Sequence, residues 1–307
     1  MRKPRALVPG DHVAIVAPAS PFGRQEFEAG AAELRALGFV PVFEETVFER
    51  RGYVAGTAEA RAAAFQRAWD DPASRAIVAV RGGFGSVQLL PILDRLPLDG
   101  PAKAFVGYSD NTSLLCWLTI GRGVVSFHGP MLEGRFARGA AGYDRDSFLR
   151  CLCQPTPLGE MPVAGLDVLR PGEAAGLLVG GTLTQLAASL GTPYGFDPPE
   201  GGVLFLEDVN ERPYRVERLL TQLLFAGVFN RAAALVFGEM RGCIESDGPA
   251  EVRDVIAEVL ADFRGPILFG FPSGHTTGPT YTLPFGVRAR VLAGERPALV
   301  IEEAAVE

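Results

Sequence analysis

The amino-terminal part of the chain alternates between short apolar runs and stretches with helical periodicity, and this alternation constrains the fold more than any other feature. Residues 23–37 and 57–69 have the spacing of helices that bury one face. Strands that alternate with helices pair in parallel, and the helices then cover both faces of the sheet. We therefore predict an α/β fold on a parallel sheet whose strands lie at residues 12–17, 39–43, 76–80, 104–106 and 124–127.

The carboxyl edge of this predicted sheet is the expected site, because ligands bind there in open parallel sheets. A glycine-rich loop with the sequence RGGFG, residues 81–85, follows the third predicted strand. Ser109 follows the fourth predicted strand. Both segments are therefore expected at the same edge.

Residues 107–111, here called the serine turn, stand between a short apolar strand and an apolar helix. A strand, a tight turn with serine at its tip and a helix make up a nucleophile elbow, which exposes the hydroxyl near the helix amino terminus. The match is imperfect, because the elbow pattern G-x-S-x-G would need glycine where Asn111 stands. The alternative is that Ser109 or Asp110 only caps the helix.

The rest of the chain has its own pattern. Residues 134–176 are rich in glycine, proline and charge, and we interpret them as a connection with one helix near 143–152. We predict two domains, residues 1–165 with the serine turn and residues 175–307. Helices are expected in the second at 182–191, 213–226 and 250–263, and strands at 203–206, 235–237, 267–269, 280–284, 287–291 and 298–301.

Composition argues against several classes of partner. The formal net charge is −7 and lysine and arginine form no run, which disfavours nucleic-acid binding. No apolar stretch has the roughly 18 residues that a membrane-spanning helix needs. The pair Cys151-x-Cys153 lacks the spacing of zinc ligands, so we expect no metal and no other cofactor. Reduced cysteines suit a cytoplasmic protein.

A serine nucleophile needs a base and a carboxylate that orients the base. Of the three histidines, His12 opens the first strand at the wrong edge, His128 follows the fifth strand, and His275 lies in a loop rich in glycine and proline. A histidine in such a loop on a rigid scaffold is the better candidate. Glu207 and Glu239 each close an apolar strand, and periodicity does not choose between them.

The oxyanion of an acyl-transfer intermediate needs preorganised N–H donors. The N–H of Asp110, directly after the nucleophile, is one candidate. The glycines of residues 81–85 allow close approach of the backbone, and one of them could supply the second donor. The loop lacks the spacing of a P-loop or a dinucleotide-binding motif, so nucleotide binding is disfavoured.

Taken in order, these segments resemble the serine LD-carboxypeptidases of the murein tetrapeptide carboxypeptidase type. The set spans nearly the whole chain. Its pieces are VAPASP at 16–21, RGGFG at 81–85, GYSDNT at 107–112, HGPM at 128–131, GG-T-L at 180–183, LFLEDVNERPYRVER at 204–218 and GFPSGH at 270–275.

Carried over by motif, the resemblance implies that Ser109 is the nucleophile, Glu207 the orienting carboxylate and His275 the base. In the implied mechanism the N–H groups of Asp110 and Gly83 hold the oxyanion. It implies an amino-terminal α/β domain like that of class I glutamine amidotransferases, a carboxyl-terminal domain with a small β-barrel, and a homodimer. The implied reaction is hydrolysis of the amide that joins the L-centre of a diamino acid to a terminal D-Ala in cytoplasmic muropeptides. Arg81 is the candidate partner of the substrate carboxylate.

Two alternatives stay open beside this interpretation. A sister group cleaves acyl-adenylate antibiotics of the microcin C kind, and there we would expect a tryptophan between the domains to stack on adenine. The tryptophans of this chain, Trp69 and Trp117, stand in predicted helices before that segment. The other alternative is a muropeptide sensor without catalysis, which the complete Ser-Glu-His set disfavours.

Overall fold

In the computed structural model the described residues, 1–98, 100–245 and 251–307, form two sheets with helices packed around them. The α-helices are α1 Arg24–Ala36, α2 Ala58–Asp70, α3 Leu90–Leu93, α4 Thr112–Cys116, α5 Arg145–Cys153, α6 Leu183–Ser189, α7 Pro213–Phe225 and α8 Val252–Val259. The strands are β1 His12–Val16, β2 Val40–Val42, β3 Ser74–Ala79, β4 Ala104–Gly107, β5 Ser126–His128, β6 Gly159–Glu160, β7 Asp167–Arg170, β8 Gly172–Thr182, β9 Gly202–Glu207, β10 Ala232–Gly238, β11 Ile267–Phe271, β12 Leu283–Phe285, β13 Arg288–Ala293 and β14 Ala298–Ile301.

The first sheet has six strands in the order β12-β5-β4-β3-β1-β2. The five strands β2, β1, β3, β4 and β5 pair in parallel. The core of this sheet consists of the apolar runs seen in the sequence, and β3 and β4 are almost wholly buried. The predicted α/β fold with a parallel sheet is therefore confirmed.

Two helices that pack on this sheet have ends marked by capping residues. The side chain of Thr57 accepts a hydrogen bond from the N–H of Ala60 at 3.1 Å and so caps α2, as the sequence predicts. In α1 the buried residues recur at helical spacing on one face, and Gly38 directly after the helix cap has φ of 94°. These helices cover the sheet and leave its carboxyl edge open.

The second sheet has eight strands in the order β6-β14-β13-β8-β9-β10-β11-β7. Its central strands β8, β9, β10 and β11 are parallel, and antiparallel strands extend it on both sides. Within the described ranges the pairing is linear and does not join β6 to β7. The small β-barrel and the likeness to glutamine amidotransferases therefore stay predictions.

Two expectations about the strands were wrong, one about where strands occur and one about the sheet that a strand joins. The segment 134–176 is more than a connection with one helix, because β6, β7 and the start of β8 lie in it. These strands are too short or too exposed to give a clear apolar alternation. The tail strand expected at 280–284 is β12, which pairs antiparallel with β5 at the edge of the first sheet. Residue 250, at the start of a predicted helix, lies outside the described residues.

The two sheets meet beside the serine turn. The N–H of Thr182, at the carboxyl end of β8, donates to the hydroxyl of Thr112 at 3.0 Å, and Thr112 opens the helix after the turn. The carboxyl ends of β4 and β8 are thereby brought together, and Glu207 at the end of β9 pairs with Thr182. Of the helices in the described ranges, none is both long and apolar enough to cross a membrane.

Candidate active site

The serine turn has the strained backbone of a nucleophile elbow. Ser109 has φ of 63°, a value that a residue with a Cβ rarely adopts. Such a conformation costs about 1–3 kcal/mol and concentrates at functional sites. The capping alternative does not hold, because the carboxylate of Asp110 instead accepts from the N–H of Ser86 at 2.7 Å in another loop. Neither side chain caps the helix that follows.

The glycine loop 81–85 packs directly on the serine turn. A Cβ at Gly82 would lie 2.9 Å from Ser109 Oγ and 3.3 Å from the nitrogen of Asp110, so a larger residue there would cover the hydroxyl. Gly83 has φ of 97° and follows immediately. In the part of the chain that the structure describes, the N–H groups of Gly83 and Asp110 have no hydrogen-bond acceptor. Both N–H groups are therefore available as donors in the described structure.

His275 and Glu207 form a hydrogen-bonded pair. Glu207 Oε2 accepts from His275 Nδ1 at 2.8 Å and from the backbone N–H of His275 at 3.0 Å. Its other oxygen, Oε1, accepts from the hydroxyl of Thr182. The carboxylate is 1% exposed, whereas the imidazole side chain is 17% exposed, so the free Nε2 edge faces the open side. This is the arrangement of a base held by a buried acid.

The pKa of Glu207 is perturbed by opposing effects. Burial raises it, but the charge and hydrogen bond of His275 and the hydroxyl of Thr182 lower it more, and the pKa falls to about 2. Glu207 is thus a carboxylate at neutral pH, able to stabilise an imidazolium.

Glu239, the alternative carboxylate, has a different task. Its Oε2 accepts from the N–H of Thr277 at 2.7 Å, so it supports the loop that carries His275 without contacting the imidazole. The choice that periodicity left open is thus resolved in geometry, since Glu207 and not Glu239 binds His275.

The other two histidines lie elsewhere. His12 is the first residue of β1, at the edge opposite the serine turn, as expected. His128 is fully buried, and burial lowers the pKa of its imidazole to about 4. Its Nδ1 lies 2.9 Å from Ser273 Oγ, and that hydroxyl donates to the carbonyl of Tyr281. The proton between them therefore belongs to His128 Nδ1, and His128 is a neutral support beside the site.

The segments that carry Ser109 and His275 contact each other through Tyr108, without a hydrogen bond between Ser109 and His275 in the described ranges. The rings of Tyr108, which precedes the nucleophile, and His275 meet edge to face with centroids 5.0 Å apart. Within the described ranges Ser109 Oγ makes no hydrogen bond. Loose nucleophile–base contacts of this kind are common before substrate binds.

Arg81 lies beside the site with its charge already paired. Its Nε is 2.9 Å from Glu133 Oε2, and its Nη1 donates to the carbonyl of Pro21 at 3.1 Å. Burial raises the pKa of Glu133, and the charge of Arg81 opposes that rise. A substrate carboxylate would therefore compete with Glu133 for this guanidinium.

Sequence reasoning missed three residues that build the site. Thr182 lies in the GG-T-L motif, which carried the resemblance but received no role. Gly82 was passed over in favour of its neighbour. Arg135 bonds to Tyr108 Oη and to carbonyls on both sides of His275, and a lone arginine in an irregular segment gave no signal.

Cysteine chemistry does not compete with this arrangement. The thiol of Cys116, one helix turn beyond the serine turn, donates to the carbonyl of Gly180 at 3.7 Å. Burial raises its pKa to about 12, so it stays a thiol. Across the described ranges, His, Cys, Asp and Glu side chains form no group that could hold a metal ion.

Comparison with known proteins places this geometry in a family. Residues 13–129 match the LD-carboxypeptidase N-terminal domain, and residues 175–291 match the LD-carboxypeptidase C-terminal domain. The murein tetrapeptide carboxypeptidase of Pseudomonas aeruginosa is 33% identical over 92% of this chain and 94% of its own. The microcin C7 self-immunity protein MccF of Escherichia coli is 28% identical over 90% and 88%.

Solved structures agree with these sequence matches. Muramoyltetrapeptide carboxypeptidase from Oxalobacter formigenes superposes with a TM-score of 0.83 at 30% identity, over 95% of this chain and 99% of that one. The MccF structure covers both chains completely with a TM-score of 0.90 at 24% identity, which establishes a shared fold. The order of the motifs, the fold and the two family matches lead to one assignment: this chain belongs to the LD-carboxypeptidase family of peptidases.

Proposed function

We propose that this protein is a serine carboxypeptidase that hydrolyses the L,D amide before the terminal D-Ala of a murein tetrapeptide. The observation that carries the proposal is the buried Glu207 carboxylate hydrogen-bonded to His275 beside the strained serine turn. The substrate class is that of the relatives from Pseudomonas aeruginosa and Oxalobacter formigenes, which their names give as murein and muramoyl tetrapeptides.

In the first step, Ser109 Oγ attacks the carbonyl carbon of the scissile amide while His275 Nε2 takes the hydroxyl proton. Glu207 keeps the proton of His275 on Nδ1, which leaves Nε2 as the acceptor. The negative charge of the tetrahedral intermediate falls on the former carbonyl oxygen. The free N–H groups of Gly83 and Asp110 stabilise it there.

In the second step, His275 returns the proton to the amide nitrogen, the C–N bond breaks, and D-Ala leaves as the amine. The acyl group remains as an ester on Ser109. Water then attacks that ester with His275 again acting as base, and the shortened peptide and free serine are released. Glu207 stays ionised throughout, in line with a pKa lowered to about 2.

The terminal carboxylate of the substrate needs a cationic or N–H partner. Arg81 is our candidate, since it stands in the glycine loop and its side chain is 43% exposed. Its partner Glu133 is 22% exposed and its carboxyl pKa is raised by burial, so Glu133 is a weak competitor for the guanidinium. When substrate binds, its terminal carboxylate would replace that of Glu133 as the partner of the Arg81 guanidinium.

The proposal extends to organisation. We propose that residues 1–165 and 175–307 act as two domains, the first similar to class I glutamine amidotransferases and the second containing a small β-barrel. The site would lie between them, with Ser109 from one and Glu207 and His275 from the other. A cytoplasmic homodimer that needs no cofactor completes the proposal.

The test is incubation with a defined tetrapeptide ending in D-Ala, with mass detection of the released amino acid. D-Ala release by the native chain and its loss in Ser109→Ala would support the proposal. Aminoacyl-sulfamoyl adenylates serve as the competing substrate, because MccF structures are described with such compounds. Faster cleavage of the adenylate would assign the chain to the antibiotic-immunity branch, and no hydrolysis of either would reject catalysis.

A further inference from the structure

Arg135 is a buried cation with no carboxylate bound to it in the described part of the chain. It is 6% exposed and lies after β5, in the segment between the two family matches. Its guanidinium donates five hydrogen bonds, all to neutral acceptors. A buried guanidinium costs solvation energy that neutral partners only partly return, so its retention needs an explanation.

Three of these bonds hold the base loop, residues 273–278. Nη2 donates to the carbonyl of Gly274 at 2.6 Å and to that of Thr276 at 3.4 Å, and Nη1 donates to that of Gly278 at 3.2 Å. The first two acceptors flank His275 on either side. The guanidinium of Arg135 therefore holds the backbone on both sides of His275.

The base loop has little room to shift in response. Gly274 has φ of 84°, and a Cβ there would lie 2.7 Å from Glu207 Cδ and 2.8 Å from His128 Cε1. The backbone at this point is thus pressed against the acid that orients the base. A small displacement of the loop would move His275 relative to both Glu207 and the nucleophile.

Of the two remaining bonds, one goes from Nη1 to the carbonyl of Gly142 at 3.2 Å, and the other joins this loop to the serine turn. Arg135 Nε donates to Tyr108 Oη at 3.3 Å, and the guanidinium carbon is 5.7 Å from the centroid of the Tyr108 ring. Burial raises the pKa of Tyr108, so its oxygen is a phenol that accepts this bond. Tyr108 immediately precedes Ser109, and its ring contacts His275. Arg135 therefore touches the segments of both reacting side chains.

We propose that Arg135 is a positioning residue that sets His275 against Ser109 by bonding to the base loop and to Tyr108 at once. The inference rests on the proposed function, and it concerns how the nucleophile and base are aligned. Five N–H donors in one plane are particular to arginine, and a lysine ammonium offers three donors from a single point. Charge alone should therefore not replace it.

The experiment compares Arg135→Lys and Arg135→Ala with a matched control, Arg170→Ala. Arg170 also donates to backbone carbonyls, those of Leu260 and Ala261, but in the second sheet away from the serine turn. D-Ala release from the tetrapeptide gives kcat and KM for each variant, and thermal unfolding reports folding. Guanidinium ion, added at a concentration that leaves the native chain folded, is the rescue probe.

We expect kcat of Arg135→Lys and Arg135→Ala to fall by roughly a hundredfold, the cost of about 1 Å of misplacement, with KM nearly unchanged. Added guanidinium should raise kcat of Arg135→Ala several-fold. It should leave kcat of the control Arg170→Ala unchanged. Native kcat in Arg135→Lys, a loss confined to KM, or a folded Arg135→Ala that guanidinium does not rescue would overturn the proposal.

A second variant keeps the test decisive if Arg135→Ala does not fold. Tyr108→Phe removes one acceptor of Arg135 and keeps the ring against His275. A several-fold drop in kcat supports the positioning role, and an unchanged kcat rejects it. The proposed function is judged separately, since a native chain that releases no D-Ala, or an active Ser109→Ala, would refute that function before any Arg135 variant is compared.

Discussion

Glu207→Gln isolates the charge of the orienting acid while keeping its shape. In the native chain the oxygen Oε2 of Glu207 accepts two donors of His275, the backbone N–H at 3.0 Å and Nδ1 at 2.8 Å. An amide NH₂ facing two N–H groups would be repelled. The glutamine should therefore turn its oxygen toward His275 and its NH₂ toward the hydroxyl of Thr182, which can rotate and accept.

This orientation determines the magnitude. The histidine keeps its proton on Nδ1, so the loss of about 10⁴-fold that follows from a wrong tautomer is not expected. What disappears is the charge assistance to the imidazolium. A hydrogen bond to a charged group contributes about 1.5–3 kcal/mol, and tenfold corresponds to about 1.4 kcal/mol, so kcat should fall by roughly ten- to a hundredfold. Because the charge of Glu207 is buried and is lost completely, we expect a fall in kcat near the upper end of this range.

The assay is D-Ala release from the tetrapeptide at neutral pH, with kcat and KM determined separately. Glu239→Gln is the matched control, because Glu239 follows the neighbouring strand and, among the described residues, accepts from the backbone N–H of Thr277 alone. A glutamine oxygen can accept that bond equally well. Glu239→Gln should therefore keep kcat within a few-fold of the native value.

Two results would refute this reasoning. A Glu207→Gln enzyme with native kcat would mean that the carboxylate does not assist the base. An equal loss in Glu239→Gln would mean that the whole loop, and not one charge, controls the rate. A loss near 10⁴-fold would instead show that the amide adopted the opposite orientation and reversed the tautomer.

Four further outcomes are expected. Ser109→Ala and His275→Ala should each lower kcat by several orders of magnitude in the D-Ala release assay, because the members act as a unit, whereas His128→Ala should cost far less. Ser109→Gly should have a free energy of unfolding about 1 kcal/mol higher than Ser109→Ala in denaturant titrations, because glycine adopts a φ of 63° without strain. Exhaustive chelation should leave activity unchanged, and zinc-dependent recovery after a loss would contradict the serine mechanism. A tetrapeptide ending in D-Ala should be cleaved at least about a hundredfold better in kcat/KM than its L-Ala epimer, since a misplaced carboxylate leaves its charged partner unpaired.

The sequence alone was sufficient for the five parallel strands of the first sheet and for the edge at which the candidate site lies. Strands buried on both faces of a parallel sheet are apolar in their buried part, so residues 13–16, 76–79 and 104–107 stand out as uninterrupted runs. The carboxyl edge then follows from chain direction. That edge carries the glycine loop and the serine turn in the structure, as predicted.

Tertiary structure decided what depends on contacts distant in sequence. Glu207 and Glu239 have the same local pattern, and only the folding of His275 onto β9, across 68 positions, distinguishes them. The strand β12 is short and apolar like its neighbours in the tail, yet it completes the first sheet because β5 has an unpaired edge there. The local sequence pattern indicates which face of a strand is buried. It does not indicate which strand or side chain that element will contact.

Backbone strain and buried polar contacts follow the same rule. The backbone angle φ of Ser109 distinguishes a helix cap from the tip of an elbow. The sequence does not give this angle, because the identity of a residue other than glycine does not determine its φ. Arg135 gave no signal, because four of its five acceptors are carbonyl groups, which every residue carries. Side-chain chemistry can be read from a sequence, whereas the meeting of a guanidinium with particular carbonyls exists only once the chain has folded.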